Sequence, residues 1–134
     1  MNVNPFSYLI EKLKSKVDTS GLDCTRHTFS ETLANGTAST LMTYTATKNE
    51  YKNIFANVRF KADGASVTAN HGIYNAKIKI NGNTIIEEQH GFVEKTYYIV
   101  SLSGVLPLKQ GDVVTVTAVE NNGVSIPIDG SLWY

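Results

Sequence analysis

The residues best suited to metal or nucleophilic chemistry are few in this chain. Its single cysteine, Cys24, stands three positions before His27, the spacing of half a zinc signature. No second cysteine completes it, and His71 and His90 stand alone far along the chain. On an extended backbone, positions 24 and 27 also point to opposite faces. Metal ligation is therefore not expected. Cys24 reads instead as a small buried apolar group, and one cysteine allows no disulfide within the chain.

Nucleophilic catalysis needs a base beside the nucleophile, and no Gly-x-Ser-x-Gly elbow or paired carboxylate and histidine can be read here. Glu87 and Glu88 resemble a catalytic pair in sequence. Adjacent residues of a strand face opposite ways, however, so the two cannot share one substrate. With Glu94 they read as solubilising surface groups. The ten glycines are scattered singly at turns, without a phosphate loop or dinucleotide fingerprint. No cofactor and no catalytic residue are expected, and the chain reads as a non-enzyme.

The polar groups that remain suit recognition. Asn70-His71-Gly72 and Gln89-His90-Gly91 read as turns, and Asn121-Asn122-Gly123 as another. Asn70, His71, His90, Asn121 and Asn122 are thus the candidate ligand-contacting loop residues. Short hydrogen-bonding side chains of this kind suit sugar hydroxyls. Asn35-Gly36-Thr37 fits a glycosylation acceptor but reads as a turn.

Composition narrows the partners. Twelve basic and twelve acidic residues cancel, which argues against the basic surface that nucleic acids or anionic membranes select. Charged residues are 18% of 134, against roughly 25% in a typical soluble domain. Thr, Ser and Asn must supply the polar surface, and little net repulsion opposes self-association. No stretch approaches the ~18 apolar residues of a membrane span, and Met1 to Ser7 does not read as a signal peptide. The expected location is a virion or an extracellular surface, reached by lysis or as part of a particle after synthesis in the cytoplasm.

One helix and a set of short strands must position these groups. Asn4 caps and Pro5 opens a helix over residues 4 to 17. Phe6, Leu9, Ile10, Leu13 and Val17 form its apolar stripe, opposite Glu11, Lys12, Lys14 and Lys16. A helix this short must pack on something, either its own domain or two further copies. After Gly21 the pattern turns to strands. Tyr74, Ala76, Ile78 and Ile80 alternate with polar residues and lead to an Asn81-Gly82 hairpin turn. Ile54, Ala56, Val58 and Phe60 alternate likewise, Tyr97 to Leu102 is aromatic and β-branched, and Val113 to Val119 is nearly apolar throughout. The expected organisation is a helix over residues 1–21 and an all-β sandwich over residues 22–134, with eight to ten strands.

Three dipeptides break the wet-face, dry-face rule of a sandwich: Ile54-Phe55, Tyr97-Tyr98 and Ile99-Val100. Large apolar groups on both sides of a strand need a second cover, and a neighbouring subunit supplies one. The chain is therefore expected to associate with itself.

The segment from Tyr74 onward resembles the tumour necrosis factor-like jelly roll, in the branch shared with complement-type globular heads. The residues that carry this are Lys77-Ile78-Lys79-Ile80-Asn81-Gly82, Val100-Ser101-Leu102-Ser103-Gly104 and Leu106-Pro107-Leu108-Lys109-Gln110-Gly111-Asp112-Val113-Val114. The ending Gly130-Ser131-Leu132-Trp133-Tyr134 resembles that family's closing strand, whereas Ile54 to Phe60 lacks the glycine common in its central strand. Asn4 to Leu13 is similar to leader helices of small prophage tail or baseplate-associated proteins. The resemblance implies a homotrimer with the closing strand near the threefold axis. Phe6, Leu9, Leu13, Tyr98, Trp133 and Tyr134 are its candidate contacts.

The sequence thus points to a trimeric phage-tail or cell-surface module that binds a host ligand such as a saccharide, or another phage or host structural protein. The alternative is a purely structural virion protein without an external ligand; a glycan-degrading enzyme is the remote third reading. Leu9→Glu with Leu13→Glu is expected to weaken association in sedimentation if the helices bundle between copies. An unchanged mass would mean that the helix docks on its own domain.

Overall fold

A computed structural model describes residues 24–61, 73–91, 97–121, 123 and 125–134. The expected helix, with Phe6, Leu9 and Leu13, lies outside the described residues, as do Asn70, His71 and Asn122. Within them the chain is all-β, in eight strands: β1 (Arg26–Leu33), β2 (Ser39–Thr45), β3 (Glu50–Lys61), β4 (Ile73–Ile80), β5 (Asn83–Gly91), β6 (Tyr97–Leu108), β7 (Val113–Glu120) and β8 (Ile126–Trp133).

They form two four-stranded antiparallel sheets, ordered β1-β8-β3-β6 and β2-β7-β4-β5. Every connection except β4 to β5 passes from one sheet to the other, the winding of a jelly-roll-like sandwich. One core fills the space between the sheets. Ile54, Ala56, Val58 and Phe60 reach it from β3, Tyr74, Ala76 and Ile78 from β4, and Val114, Val116 and Ala118 from β7. The period-two alternation of these strands is therefore realised residue by residue. Phe60 and Tyr74 bridge the sheets with ring centroids 4.8 Å apart.

The β4–β5 hairpin turns on Asn81 (φ 50°) and Gly82 (φ 81°), the pair of positive φ values that a two-residue hairpin of right-handed twist requires. Asn81 also does more than turn the chain. Its Nδ2 donates to Asp112 Oδ1 at 2.9 Å, and its Oδ1 accepts from the Val113 N–H at 2.9 Å. Asp112 in turn accepts from the Lys109 N–H, so the hairpin is tied to the β6–β7 turn. These bonds, that from the Lys109 backbone first, lower the Asp112 carboxyl below its ordinary range.

Two sequence expectations are corrected here. Leu106-Pro107-Leu108 continues β6 to 12 residues. Pro107 is tolerated because β6 is a sheet edge, where a missing N–H breaks no ladder. His90 lies within β5 rather than in a turn, and Gly130 lies inside β8 rather than closing it. The sandwich ends where it starts: Thr25 and Tyr134 exchange two backbone hydrogen bonds, of 2.7 and 3.0 Å.

Two inner glycines make the packing legible. A Cβ on Gly130 would overlap the Asn57 carbonyl oxygen and press on Phe29, both held by paired strands. A Cβ on Gly104 would instead meet the tip of Ile86, which can rotate away. Gly130→Ala is therefore expected to cost about 3 kcal/mol in denaturant unfolding and Gly104→Ala about 1 kcal/mol. Equal losses would refute this reading of the β8–β3 contact.

Candidate functional site: the outer face of the β1-β8-β3-β6 sheet

The two sheets differ in what they show to the outside. On the β2-β7-β4-β5 sheet, the outward positions pair Thr40 with Thr117 and Thr43 with Thr115, next to Lys77 and Lys79. Asn75 is almost buried there between Glu87 and Gln89, to both of which its Nδ2 donates. Lys77 stands 3.6 Å from Glu87. The hydrogen bond from Asn75, more than this charge, lowers the Glu87 carboxyl. Strands β4 and β5 expose two large apolar side chains, Ile73 and Ile85, and this sheet is otherwise mainly polar and suited to water.

The other face is not. Seven large apolar side chains are exposed among the described residues, and five of them, Tyr51, Phe55, Tyr97, Ile99 and Val105, lie on the outer face of β3 and β6. Half-buried Trp133 of β8 joins them, its ring 5.3 Å from that of Phe55. All three dipeptides singled out in the sequence send one residue here: Phe55, Tyr97 and Ile99 point out, while Ile54 and Val100 are buried and Tyr98 is half-buried.

Strand register arranges the face in rows across the four strands. One row reads Ser30, Asp129, Arg59, Ile99; the next reads Thr28, Ser131, Asn57, Ser101; the third reads Arg26, Trp133, Phe55, Ser103. The middle row holds only short hydroxyl and amide groups. Its low floor leaves a shallow, open depression of about 750 Å³. A second, apolar groove lies beyond Trp133 and Phe55, bordered by Cys24, Ile54 and Val105.

Charge on this face is fixed by one carboxylate. Asp129 accepts from Arg59 Nε at 2.7 Å and Nη2 at 2.6 Å, a two-point fork, and Lys61 Nζ lies 2.6 Å away. Its carboxyl is thereby held at about 2, below the ordinary 3.8. The Arg59 hydrogen bonds are the main cause; desolvation opposes them and Lys61 assists. The Arg59 guanidinium also sits 5.4 Å from the Tyr97 ring centre, and that of Arg26 5.6 Å from Trp133.

Of the residues singled out by sequence, Trp133 borders both grooves of this face. Tyr134 turns away from it: it is half-buried, 6.0 Å from the Tyr44 ring, with Lys52 above both. Tyr44 donates to Glu50 there, which pushes its hydroxyl up to about 12, with burial as the second cause. Tyr98 packs inward, 5.4 Å from Tyr74 and 5.7 Å from His90. Asn121 is exposed just after β7, its N–H bonded to the Ile73 carbonyl. His90 and Asn121 lie on the opposite sheet and so are not brought to the depression. Cys24 is exposed, not buried as expected, because β1 begins two residues later and leaves it at the rim of the apolar groove. His27 borders a different groove, with Thr40 and Tyr134.

The depression itself was not anticipated. Its signal was in the sequence as two outward alternations, Thr28/Ser30 and Asp129/Ser131, whose alignment depends on a register that sequence does not carry.

No protein-family model matches the chain, and no curated protein matches it. Solved structures do. A chain from the structure of infectious bursal disease virus, Gt strain, superposes with a TM-score of 0.52 at 15% identity. One from the Gx strain does so at 0.53 and 17%. What they share with this chain is the fold. The match covers 83% of this chain and 32% of each viral chain, so the domain spans about a third of their length. Among the described residues no helix is long and apolar enough to cross a membrane.

Because the folded carboxyl of Asp129 is lowered, its contribution is complete above its ordinary 3.8 and lost as pH falls through about 2. The stability gap between the wild type and Asp129→Asn should therefore be widest above about pH 4 and close towards about pH 2 in thermal unfolding. A gap that stays constant over that window would show that the fork adds nothing in solution.

Proposed function

We propose that the chain is a non-enzymatic assembly and binding module. In this reading it is a homotrimer whose subunits meet through the outer face of the β1-β8-β3-β6 sheet, as part of a virion or other surface-displayed particle. The observation that carries the proposal is the concentration of Tyr51, Phe55, Tyr97, Ile99 and Val105 on that one face, against Ile73 and Ile85 on the opposite sheet among the described residues. Aromatic side chains with arginines beside them are the composition that subunit interfaces favour.

The face is also lopsided. Its β3–β6 half carries the five large apolar side chains, around Asn57, Arg59 and Ser101, and its β1–β8 half carries Thr28, Ser30, Asp129, Ser131 and Trp133. Unlike halves favour a contact in which each copy offers a different patch to its neighbour. Such contacts close into rings when the rotation permits. The resemblance to the tumour necrosis factor-like jelly roll supports three copies, and the shared fold with the bursal disease virus chains supports the particle setting. The ligand in this reading is a saccharide on a host surface.

Light scattering on the intact chain should give a mass near three times 14.7 kDa. Phe55→Asp and Ile99→Asp should each reduce it to one chain with the circular dichroism of the wild type, since both side chains are exposed in the single chain. A wild-type mass of one chain at tens of micromolar would overturn the proposal.

A further inference from the structure

We infer that the depression over Thr28, Ser131 and Asn57 is a binding site for a pyranose saccharide. The inference rests on the reading of the chain as a binding module and gives that reading a place and a chemistry.

The geometry starts from the row Thr28, Ser131, Asn57, Ser101, which crosses all four strands. At roughly 4.8 Å between strands such a row is about 14 Å long. The flanking rows stand four residues apart along β3 and β8, from Arg59 to Phe55 and from Asp129 to Trp133. At ~3.3 Å per residue that is about 13 Å between their backbones. Tall side chains on both sides and short ones between make a trough. Its volume of about 750 Å³ falls in the range of small-ligand sites.

The lining matches a sugar ring in kind. A pyranose presents hydroxyls that both donate and accept around its rim, and apolar C–H faces above and below. Ser101 Oγ donates to Asn57 Oδ1 at 2.7 Å, which leaves the Asn57 amide N–H₂ as the donor on the trough floor. Thr28, Ser30 and Ser131 add hydroxyls of either sense, and Trp133 adds an indole ring at the rim. Asp129 is held by the Arg59 fork and by Lys61, which leaves one acceptor position on its Oδ1. Asp129 offsets Arg59 within the lining, while Lys61 and Arg26, whose Nη2 reaches Ser131 Oγ at 3.4 Å, leave the surroundings positive. A pyranose with or without a carboxylate suits that balance.

The trough crosses the face from β1 to β3, with Ile99 of β6 at its edge, and separates Tyr51, Phe55 and Val105 from Tyr97. Repeated copies turn a weak single-site affinity into a strong one.

The test uses the full chain on an array of neutral and carboxylate-bearing oligosaccharides, followed by isothermal titration of the strongest binder. Binding to pyranose oligosaccharides is expected. Asn57→Ala, and Ser131→Tyr to fill the trough, should each lower affinity at least tenfold, with mass and melting temperature unchanged. Thr28→Val, at an exposed outward position, gives the same readout if either variant folds poorly. The inference is overturned if no saccharide on the array binds, or if the folded variants bind like the wild type. A one-chain mass with intact saccharide binding would remove the trimer and keep the trough; a three-chain mass without binding would do the reverse.

Discussion

Two sheets sharing one core can each dry only one face, and the rest of this structure follows from how the chain meets that limit. The inner faces are filled by a contiguous set of β-branched, leucine and aromatic side chains, with Ala56, Val58, Phe60, Tyr74, Ile78 and Val116 excluded from solvent. On the β2-β7-β4-β5 sheet the outward residues obey the limit with threonines, lysines and an Asn75–Glu87 pairing. On the other sheet they do not. Each additional exposed aromatic or aliphatic side chain there forgoes on the order of 1.5–3 kcal/mol of burial. Five of the seven such side chains among the described residues lie on this one face.

That face is also where the polar groups are most tightly organised. The Arg59–Asp129–Lys61 cluster joins two strands that are neighbours in the sheet but distant in sequence. Exposed ion pairs contribute little individually to stability. Their larger effect is to fix side-chain positions. The row of short side chains beside the cluster is low because Ser131, Asn57 and Thr28 are all small or flat, not because the backbone is displaced.

Much of the fold was legible from the residues. The alternations at Ile54 to Phe60 and Tyr74 to Ile80 gave strand, face and burial together, and Asn81-Gly82 gave the turn with its positive φ values. The two-faced dipeptides located the apolar outer face, though Tyr97 rather than Tyr98 is the residue presented there. Other features depended on pairing partners far along the chain. His90 looked like a turn residue because a glycine follows it, yet the ladder with Tyr74 carries β5 through it. Gly130 looked like punctuation, yet close approach of the Asn57 carbonyl is what demands a glycine. The depression needed Thr28, Ser131 and Asn57 aligned by two registers, over separations that local pattern does not reach.

The hydrogen-bonded closure between Thr25 and Tyr134 has a consequence for how the domain is wired. The start of β1 and the end of β8 sit side by side at one pole, where Arg26 pairs with Trp133. At the other end of the same strands, the Gly36 N–H bonds to the Glu120 carbonyl and the Gly123 N–H to Asn35, closing the opposite pole with loops. A short bridge from Tyr134 to Thr25 would disturb neither sheet. The chain could then be reopened in an exposed turn, so the architecture is suited to circular permutation and to insertion as a cassette within a larger polypeptide.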